Sequence, residues 1–336
     1  MARSGIIAGG NWIRDHVKTL DAWPEQDGLA NIVARADGNG GGPYNVLKDL
    51  ARLGAPFPLL GVGLVGDDAD GRAIMADCRL SGIDTSQLRM VPGAGTSYTD
   101  VMAVRSTPRR TFFHERGANA RLGPEHFDFR GQQARVFYLG YLLLLDRMDA
   151  PGAGGAPASA EVLGRARAAG LVTAADCVSA APGGFESAVR PVLPSVDFLF
   201  VNDYEAGQVT GAGLRPSGDL DRGAAEKAAR SLVAMGVRAW AVVHFPEGAC
   251  ACSASGELLW QPAVRMAEGS IASTVGAGDA FASGVLFGVH EDWPMARSLE
   301  LGACAAAVSL LHPTCSGGVL PSEECLVFGH RQGFCG

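Results

Sequence analysis

Lysine is scarce in this sequence, which has only Lys18, Lys48 and Lys227. None of the three follows a glycine, and the phosphate-binding loop of Walker-type NTPases requires a Gly-Lys pair. The sequence therefore excludes a Walker-type NTPase. Basic residues are also fewer than acidic ones, 28 against 35 for a net charge of −7. We therefore expect no nonspecific binding of nucleic acid or anionic lipid.

The sequence also lacks the spacings of zinc sites and the long apolar runs of membrane spans. Its eight cysteines include no C-x-x-C pair, and its seven histidines no H-E-x-x-H pair. We expect reduced thiols and no catalytic zinc. The first apolar run, residues 6–8, is too short for a signal peptide or a membrane span. We therefore expect a cytoplasmic protein without a membrane partner.

Apolar and small residues are abundant, with 47% hydrophobic residues among 336, enough for a large core. Short apolar runs alternate with helix-like segments along the chain. The runs are 6–8, 57–60, 136–139, 171–174, 198–201 and 240–243; the helix-like segments are 45–53, 72–80, 160–169 and 224–235. This alternation predicts a mostly parallel sheet covered by helices on both faces. Two half-polar stretches without following helices, 12–39 and 96–116, predict antiparallel strands that form a small lid.

The most informative segment is residues 273–284. A Gly-Ala-Gly turn at 276–278 opens a predicted helix that runs to about His290, and its unpaired amides suit a phosphate or a developing oxyanion. Asp279 follows in the first turn, where the helix dipole favours the ionised carboxylate. A carboxylate beside such amides is what phosphoryl transfer to an alcohol requires. The alternative is that Asp279 only caps the helix while the glycines pack against a strand.

A second glycine-rich segment, 61–66, fits the G-x-G-x-x-G pattern of dinucleotide-binding proteins, with Asp84 about where a ribose-binding acid would be. The residues that follow include Asp67, Asp68 and Asp70. They would place three carboxylates near the helix end that must receive a pyrophosphate, and like charges there oppose that ligand. We therefore reject a dinucleotide-dependent oxidoreductase.

An ordered series of short motifs resembles the PfkB, or ribokinase-like, carbohydrate kinases over nearly the whole chain. In chain order the motifs are GGGPYN (40–45), LGA (53–55), GLVGDDADG (63–71), GIDT (82–85), GANA (117–120), VNDYEA (201–206), GAGDAF (276–281) and GVLP (318–321). The resemblance implies a three-layer α/β domain over 1–336, with a mostly parallel central sheet and a small β-rich lid formed by 12–39 and 96–116. It also implies a kinase that uses ATP and Mg²⁺ to phosphorylate a hydroxyl of a sugar or nucleoside.

The resemblance also implies roles for the acceptor and phosphoryl sites. Asp279 would be the general base, and Gly276, Ala277 and Gly278 would supply the anion hole. Residues implied to bind the sugar are Asp15, Gly40, Gly41 and Asn45. Two of these have plain structural alternatives, since Asp15 suits a solvated loop and Asn45 an ordinary helix start.

For the nucleotide, the resemblance implies Asn202, Glu205 and Gly248. Asn202 and Glu205 match an N-x-x-E element near Mg²⁺ and the phosphates, with Glu205 reaching the metal through water. A helix-start Asn with a first-turn Glu is the alternative. Gly248 resembles the glycine of the wall around the nucleotide base.

Two residues, Ser273 and Phe245, depart from the family pattern. Ser273 stands where the family usually has an Asp beside a monovalent-cation site, so the resemblance does not carry potassium activation over to this chain. Phe245 stands where many members have the glycine of a Thr-x-Gly element, and we expect it to crowd or stack the nucleotide. Its neighbour His244 is interpreted as a polar residue at a strand end.

Substrate identity is left open, because one scaffold serves many sugars. The lid arginines are Arg105, Arg109, Arg110 and Arg116. An inward-facing one would favour an acidic or phosphorylated acceptor, and outward-facing ones would form a hydrated edge. A homodimer through the lid is a further hypothesis. The rival function is a sugar-binding or regulatory protein that has lost turnover, motivated by Ser273 and Phe245.

Overall fold

The computed structural model describes residues 3–104, 110–152, 154–180 and 183–336. Its strands are β1 Ile6–Gly10, β2 Ile13–Leu20, β3 Ile32–Gly40, β4 Leu59–Gly66, β5 Ile83–Val91, β6 Tyr98–Val104, β7 Arg110–Glu115, β8 Val136–Leu142, β9 Val172–Cys177, β10 Phe198–Asn202, β11 Trp240–Phe245, β12 Gly248–Ser253 and β13 Leu258–Pro262. Its α-helices are α1 Gly42–Arg52, α2 Ala69–Leu80, α3 Asp146–Asp149, α4 Ala158–Ala168, α5 Asp203–Thr210, α6 Arg222–Ala234, α7 Ala277–His290, α8 Met295–Ser309 and α9 Ser322–Gln332.

Nine strands form the large sheet, in the order β13-β12-β11-β10-β9-β8-β1-β4-β5. The seven strands from β11 to β5 in that order pair in parallel, while β12 and β13 add an antiparallel edge. Apolar side chains are buried in two clusters, one on each face, because alternate residues of every central strand point to opposite sides. This arrangement confirms the prediction of a mostly parallel sheet with helices on both faces.

Helix α7 carries Asp279, and small residues allow it to pack closely. Gly284 faces Gly302 of α8, and a Cβ atom on Gly284 would lie 2.7 Å from the Gly302 Cα atom. Most of α7 is buried, because it also packs against α1. The first turn of α7 is therefore held firmly at the edge of the sheet.

The small sheet has the order β3-β2-β6-β7 and projects from the large one. Its outer pairs are antiparallel, but β2 and β6 run parallel, with Asp15 opposite Thr99. The prediction of antiparallel strands is therefore wrong for the central pair. The two segments come from separate excursions of the chain, so no hairpin turn joins β2 to β6 and neither direction is imposed locally.

The order of the strands brings the candidate site residues to one edge of the large sheet. Strands β1, β8, β9, β10 and β11 are parallel neighbours, so their carboxyl ends meet on the same side. Only Asn11 and Trp12 separate β1 from β2, which fixes the small sheet above that side. Within the described ranges, every helix is too short or too polar to cross a bilayer.

Candidate active site

A cavity of about 890 Å³ lies between the small sheet and the carboxyl edge of the large one. This volume is typical of a site for a small molecule. The small sheet contributes Ile13, Asp15, Thr99, Val101, Phe112 and His114 to its wall, and the opposite half is lined by Asn202, Asp203, Glu205, His244, Phe245 and Gly248. Residues 274–279 line the middle of the cavity, so the Gly-Ala-Gly turn separates two halves.

Asp279 is buried in the wall of this cavity. The Asn45 amide donates to its Oδ2 atom at 2.9 Å, and the Tyr141 hydroxyl donates to both carboxylate oxygens at 2.7 and 2.8 Å. Burial raises the pKa of Asp279 to about 6, although the hydrogen bonds from Tyr141 and Asn45 lower it. The predicted position in the first turn of α7 therefore comes with a burial effect that the sequence did not indicate. The carboxylate is nevertheless mostly ionised at pH 7.

Among the residues that the structure describes, the amides of the turn before Asp279 have no hydrogen-bond acceptor. The first intrahelical hydrogen bond runs from the Ala280 amide to the Gly276 carbonyl, at 2.9 Å, so the helix supplies no acceptor for the amides before it. Gly276 has a φ of 83°, and a Cβ atom there would overlap the Cys315 carbonyl. Glycine is required at 276 for both reasons.

Asp15 lies on β2 and faces the acceptor half of the cavity. Burial raises the pKa of Asp15 to about 6, and the Cys315 thiol, which donates to its Oδ2 atom at 3.8 Å, opposes the rise. A Cβ atom on Gly40 would overlap this carboxylate. Gly40 therefore leaves space for Asp15 and does not itself line the cavity, which differs from the predicted contact with the acceptor.

Gly41 and Asn45 lie at the start of α1, beside Asp279. Gly41 lines the cavity with a φ of 92°, and a Cβ atom there would overlap the Asn11 carbonyl. Asn45 is the fourth residue of α1, past the cap position at Gly41, and its side-chain amide donates to Asp279. Its Oδ1 atom is buried without a partner among the described residues. This contact favours a place in the site over the helix-start alternative.

Asn202 and Glu205 form the capping box that was the structural alternative for this pair. The Asn202 Oδ1 atom accepts from the Glu205 amide at 2.8 Å, and Glu205 Oε2 accepts from the Asn202 amide at 2.9 Å. Glu205 Oε1 accepts from Ser179 at 2.8 Å. Both residues nevertheless line the cavity, so capping and ligand binding are compatible.

Gly248 and Phe245 flank the far end of the cavity. A Cβ atom on Gly248, whose φ is 142°, would overlap the Gln261 carbonyl of the neighbouring strand. Phe245 is buried against Trp260, with ring centroids 5.7 Å apart. The Phe245 ring therefore packs partly into the protein, and it still contributes to the wall.

Sequence reasoning missed Tyr141 and Asp176, which line the cavity at the ends of β8 and β9. The only sequence feature that could have indicated Tyr141 is its place as a polar group at the carboxyl end of a strand, directly after an apolar run. Burial, with Glu205 and Asp279 nearby, raises the pKa of the Asp176 carboxyl far above its ordinary range. Burial likewise raises the pKa of Glu205.

Two of the four lid arginines are described by the structure, and neither faces the acceptor half of the cavity. Arg110 and Arg116 do not line the cavity, and Arg116 lies 3.7 Å from Asp146. Arg105 and Arg109 lie outside the described residues.

Among the side chains that the structure places, no three metal-ligating groups converge.

Comparison with known proteins identifies the family of the chain. The family model for pfkB family carbohydrate kinases matches residues 15–322. The chain is 28% identical to an ATP-dependent ribose-1-phosphate kinase of Halopiger xanaduensis, over 90% of each protein. It is 24% identical to a 5-dehydro-2-deoxygluconokinase of Geobacillus kaustophilus, over 88% of this chain and 86% of that one.

Solved structures show the same fold. A ribokinase of Arabidopsis thaliana, complexed with ribose and ATP, superposes with a TM-score of 0.79 at 20% identity, over 98% of this chain and 99% of that one. A ribokinase of Thermotoga maritima gives a TM-score of 0.78 at 17% identity, over 97% and 99%. The fold is thus ribokinase-like, and the chain belongs to the pfkB family of carbohydrate kinases.

Proposed function

We propose that this protein transfers the γ-phosphoryl group of ATP to a hydroxyl of a sugar or nucleoside, with Asp279 as general base. One observation carries the proposal. The Asp279 carboxylate lies in the wall of a cavity, at the free amides of α7, with polar side chains suited to an acceptor on one side and Asn202 and Glu205 on the other. One relative is named as an ATP-dependent kinase, which supports ATP as the donor.

Asp279 has the properties of a general base at neutral pH. A pKa of about 6 keeps the carboxylate mostly ionised while leaving it basic enough to accept a hydroxyl proton. Tyr141 and Asn45 orient both carboxylate oxygens through their hydrogen bonds. The proton passes from the acceptor hydroxyl to Asp279 while the acceptor oxygen attacks phosphorus and the bond to ADP breaks.

The amides of Gly276, Ala277 and Gly278 act as the anion hole. Negative charge is spread over the phosphoryl oxygens in the transition state, and fixed amides at a helix N-terminus stabilise such charge. The amides need no rearrangement for this, because α7 is held by its packing on α8.

Asp15, Gly41 and Asn45 bind the acceptor. The Asp15 carboxylate accepts hydrogen bonds from acceptor hydroxyls, and Gly40 keeps the space that this carboxylate needs. The small sheet closes over the bound acceptor and excludes water, since a kinase that admits water hydrolyses its donor.

Asp176 and Glu205 fit a magnesium ion that arrives with the nucleotide. They are two buried carboxylates whose pKa values are raised by burial, so a nearby cation would favour their ionised forms. Both Glu205 oxygens already accept hydrogen bonds, which suits contact through metal-bound water. Mg²⁺ held there would neutralise charge on the phosphates. Gly248 and Phe245 would form part of the wall around the nucleotide base.

The test is phosphorylation of a panel of sugars and nucleosides with Mg-ATP. Asp279→Asn removes the base and should lower kcat by about 10²- to 10⁴-fold. Asp84→Asn is the matched control, because Asp84 is exposed on β5 outside the cavity, and it should keep the wild-type rate. Sugar binding without turnover on any donor would instead support the rival, a non-catalytic sugar-binding or regulatory protein.

We also propose that two copies of the chain pair through the small sheet. Ile32 and Val33 of the edge strand β3 are each 42% exposed, and the outer edge of β3 pairs with no other described strand. Val33→Lys should convert a dimer measured by light scattering into a monomer. A wild-type protein of monomeric mass would contradict this proposal.

A further inference from the structure

We propose that His244 is an additional donor in the anion hole and contacts the phosphates of the nucleotide. The inference rests on the proposed kinase function and deepens it, since it assigns phosphate binding to a side chain that the sequence analysis interpreted only as a polar residue at a strand end. The imidazole N–H would donate to a phosphate oxygen beside the amides at 276–278.

The position of His244 follows from the sheet. It is the next-to-last residue of β11 and pairs with Asn202 of β10, so it lies at the carboxyl edge between the capping box and α7. Its ring packs against Phe281, with centroids 5.7 Å apart. The Cε1 and Nε2 atoms lie 3.1 and 3.5 Å from the point that a Cβ atom of Gly278 would occupy. The absence of a side chain at 278 therefore brings the imidazole directly against the anion-hole turn.

His244 differs from every other histidine of the chain in its hydrogen bonding. Across the described residues, the ring of His244 makes no hydrogen bond to protein, whereas the other six histidines each make at least one. Those six are His16, His114, His126, His290, His312 and His330. The ring of His244 lines the cavity, and a ligand there can supply its missing partner.

Burial lowers the pKa of His244 to about 4, so the imidazole is neutral at pH 7 and keeps one N–H donor. A ligand that accepts a hydrogen bond from the N–H of His244 would explain why a histidine occupies this position. The positive end of α7 lies next to the ring and attracts anions. A phosphate oxygen is an acceptor of that kind.

Nucleotide binding measured by calorimetry tests the assignment. His244→Leu and the shorter polar variant His244→Asn should weaken binding of Mg-ATP and Mg-ADP by about tenfold to hundredfold, the effect of one hydrogen bond to a charged group. Adenosine, which has no phosphate, should bind all three proteins equally. His244→Gln places an amide N–H near the lost donor and should restore most of the affinity. The KM for the acceptor should not change.

His114→Leu provides the matched control. It removes another imidazole from the cavity wall, on the small sheet, and should leave the affinity for Mg-ATP unchanged. Two results would overturn the assignment alone: wild-type affinity for Mg-ATP in folded His244→Leu or His244→Asn, or an equal loss for adenosine, which would place the contact on the nucleoside. Failure of the wild type to bind any adenine nucleotide would overturn the proposed function as well.

Discussion

Removal of the Tyr141 hydroxyl should shift the pH dependence of turnover. This hydroxyl donates to both oxygens of Asp279, at 2.7 and 2.8 Å, and stabilises the ionised carboxylate. A hydrogen bond to a charged group contributes about 1.5 to 3 kcal/mol, and about 1.4 kcal/mol corresponds to one pKa unit. Tyr141→Phe should therefore raise the pKa of Asp279 by about 1 to 2 units. The starting value is about 6.

Because only the ionised carboxylate accepts a proton, the acidic limb of kcat/KM against pH should move upward by the same amount. Initial rates over a series of pH values measure it, and the variant should approach the wild-type rate at high pH. Tyr138→Phe is the control, since that hydroxyl lies on the same strand but bonds to Asp176, at 3.5 Å. An unmoved limb with lower rates at every pH would refute a role for Tyr141 in tuning the base.

Three further outcomes are expected. Asp279→Asn should stabilise the protein more at pH 8 than at pH 3, by up to about 3 kcal/mol. The reason is that the raised pKa of Asp279 in the folded state makes the wild-type protein less stable as pH rises from about 4 to about 6. Equal shifts in melting temperature at both pH values would contradict this. Gly276→Ala should abolish turnover and cost more than about 1 kcal/mol of stability, measured by denaturant unfolding, because its Cβ atom overlaps the Cys315 carbonyl at a positive φ. Asp15→Asn should raise the KM for the acceptor and leave the dissociation constant of Mg-ATP unchanged, and a change in nucleotide affinity alone would argue against an acceptor role.

The sequence predicted those parts of the site that depend on local structure. The turn at 276–278 and the helix after it are set by glycine's freedom at positive φ and by the small residues of α7. Alternation of short apolar runs with helix-like segments was likewise sufficient to predict the parallel sheet. The structure places Asp15, Asn45 and Asp279 in the wall of one cavity, and the roles that the family resemblance implies for them stay predictions.

The remainder depends on which strands become neighbours, and no local pattern encodes that. Tyr141 reaches Asp279 because β8 pairs with β1 in the middle of the sheet, although 138 residues separate the two side chains in sequence. The parallel pairing of β2 with β6 is equally non-local. The pKa of Asp279 could not be predicted either, because burial, the largest cause of its rise, depends on packing around α7.

Burial of the site's carboxylates destabilises the protein and at the same time makes its proposed chemistry feasible. Asp15, Asp176, Glu205 and Asp279 all have raised pKa values, with burial as the largest cause. A solvated carboxylate with a pKa near 4 would be a weak base for a hydroxyl proton, whereas a pKa nearer to 7 combines ionisation with basicity. Near Asp176 and Glu205 the same burial favours the binding of a cation that arrives with the nucleotide phosphates. One physical effect, desolvation at the carboxyl edge of the sheet, therefore suits the acceptor half for proton transfer and the nucleotide half for magnesium.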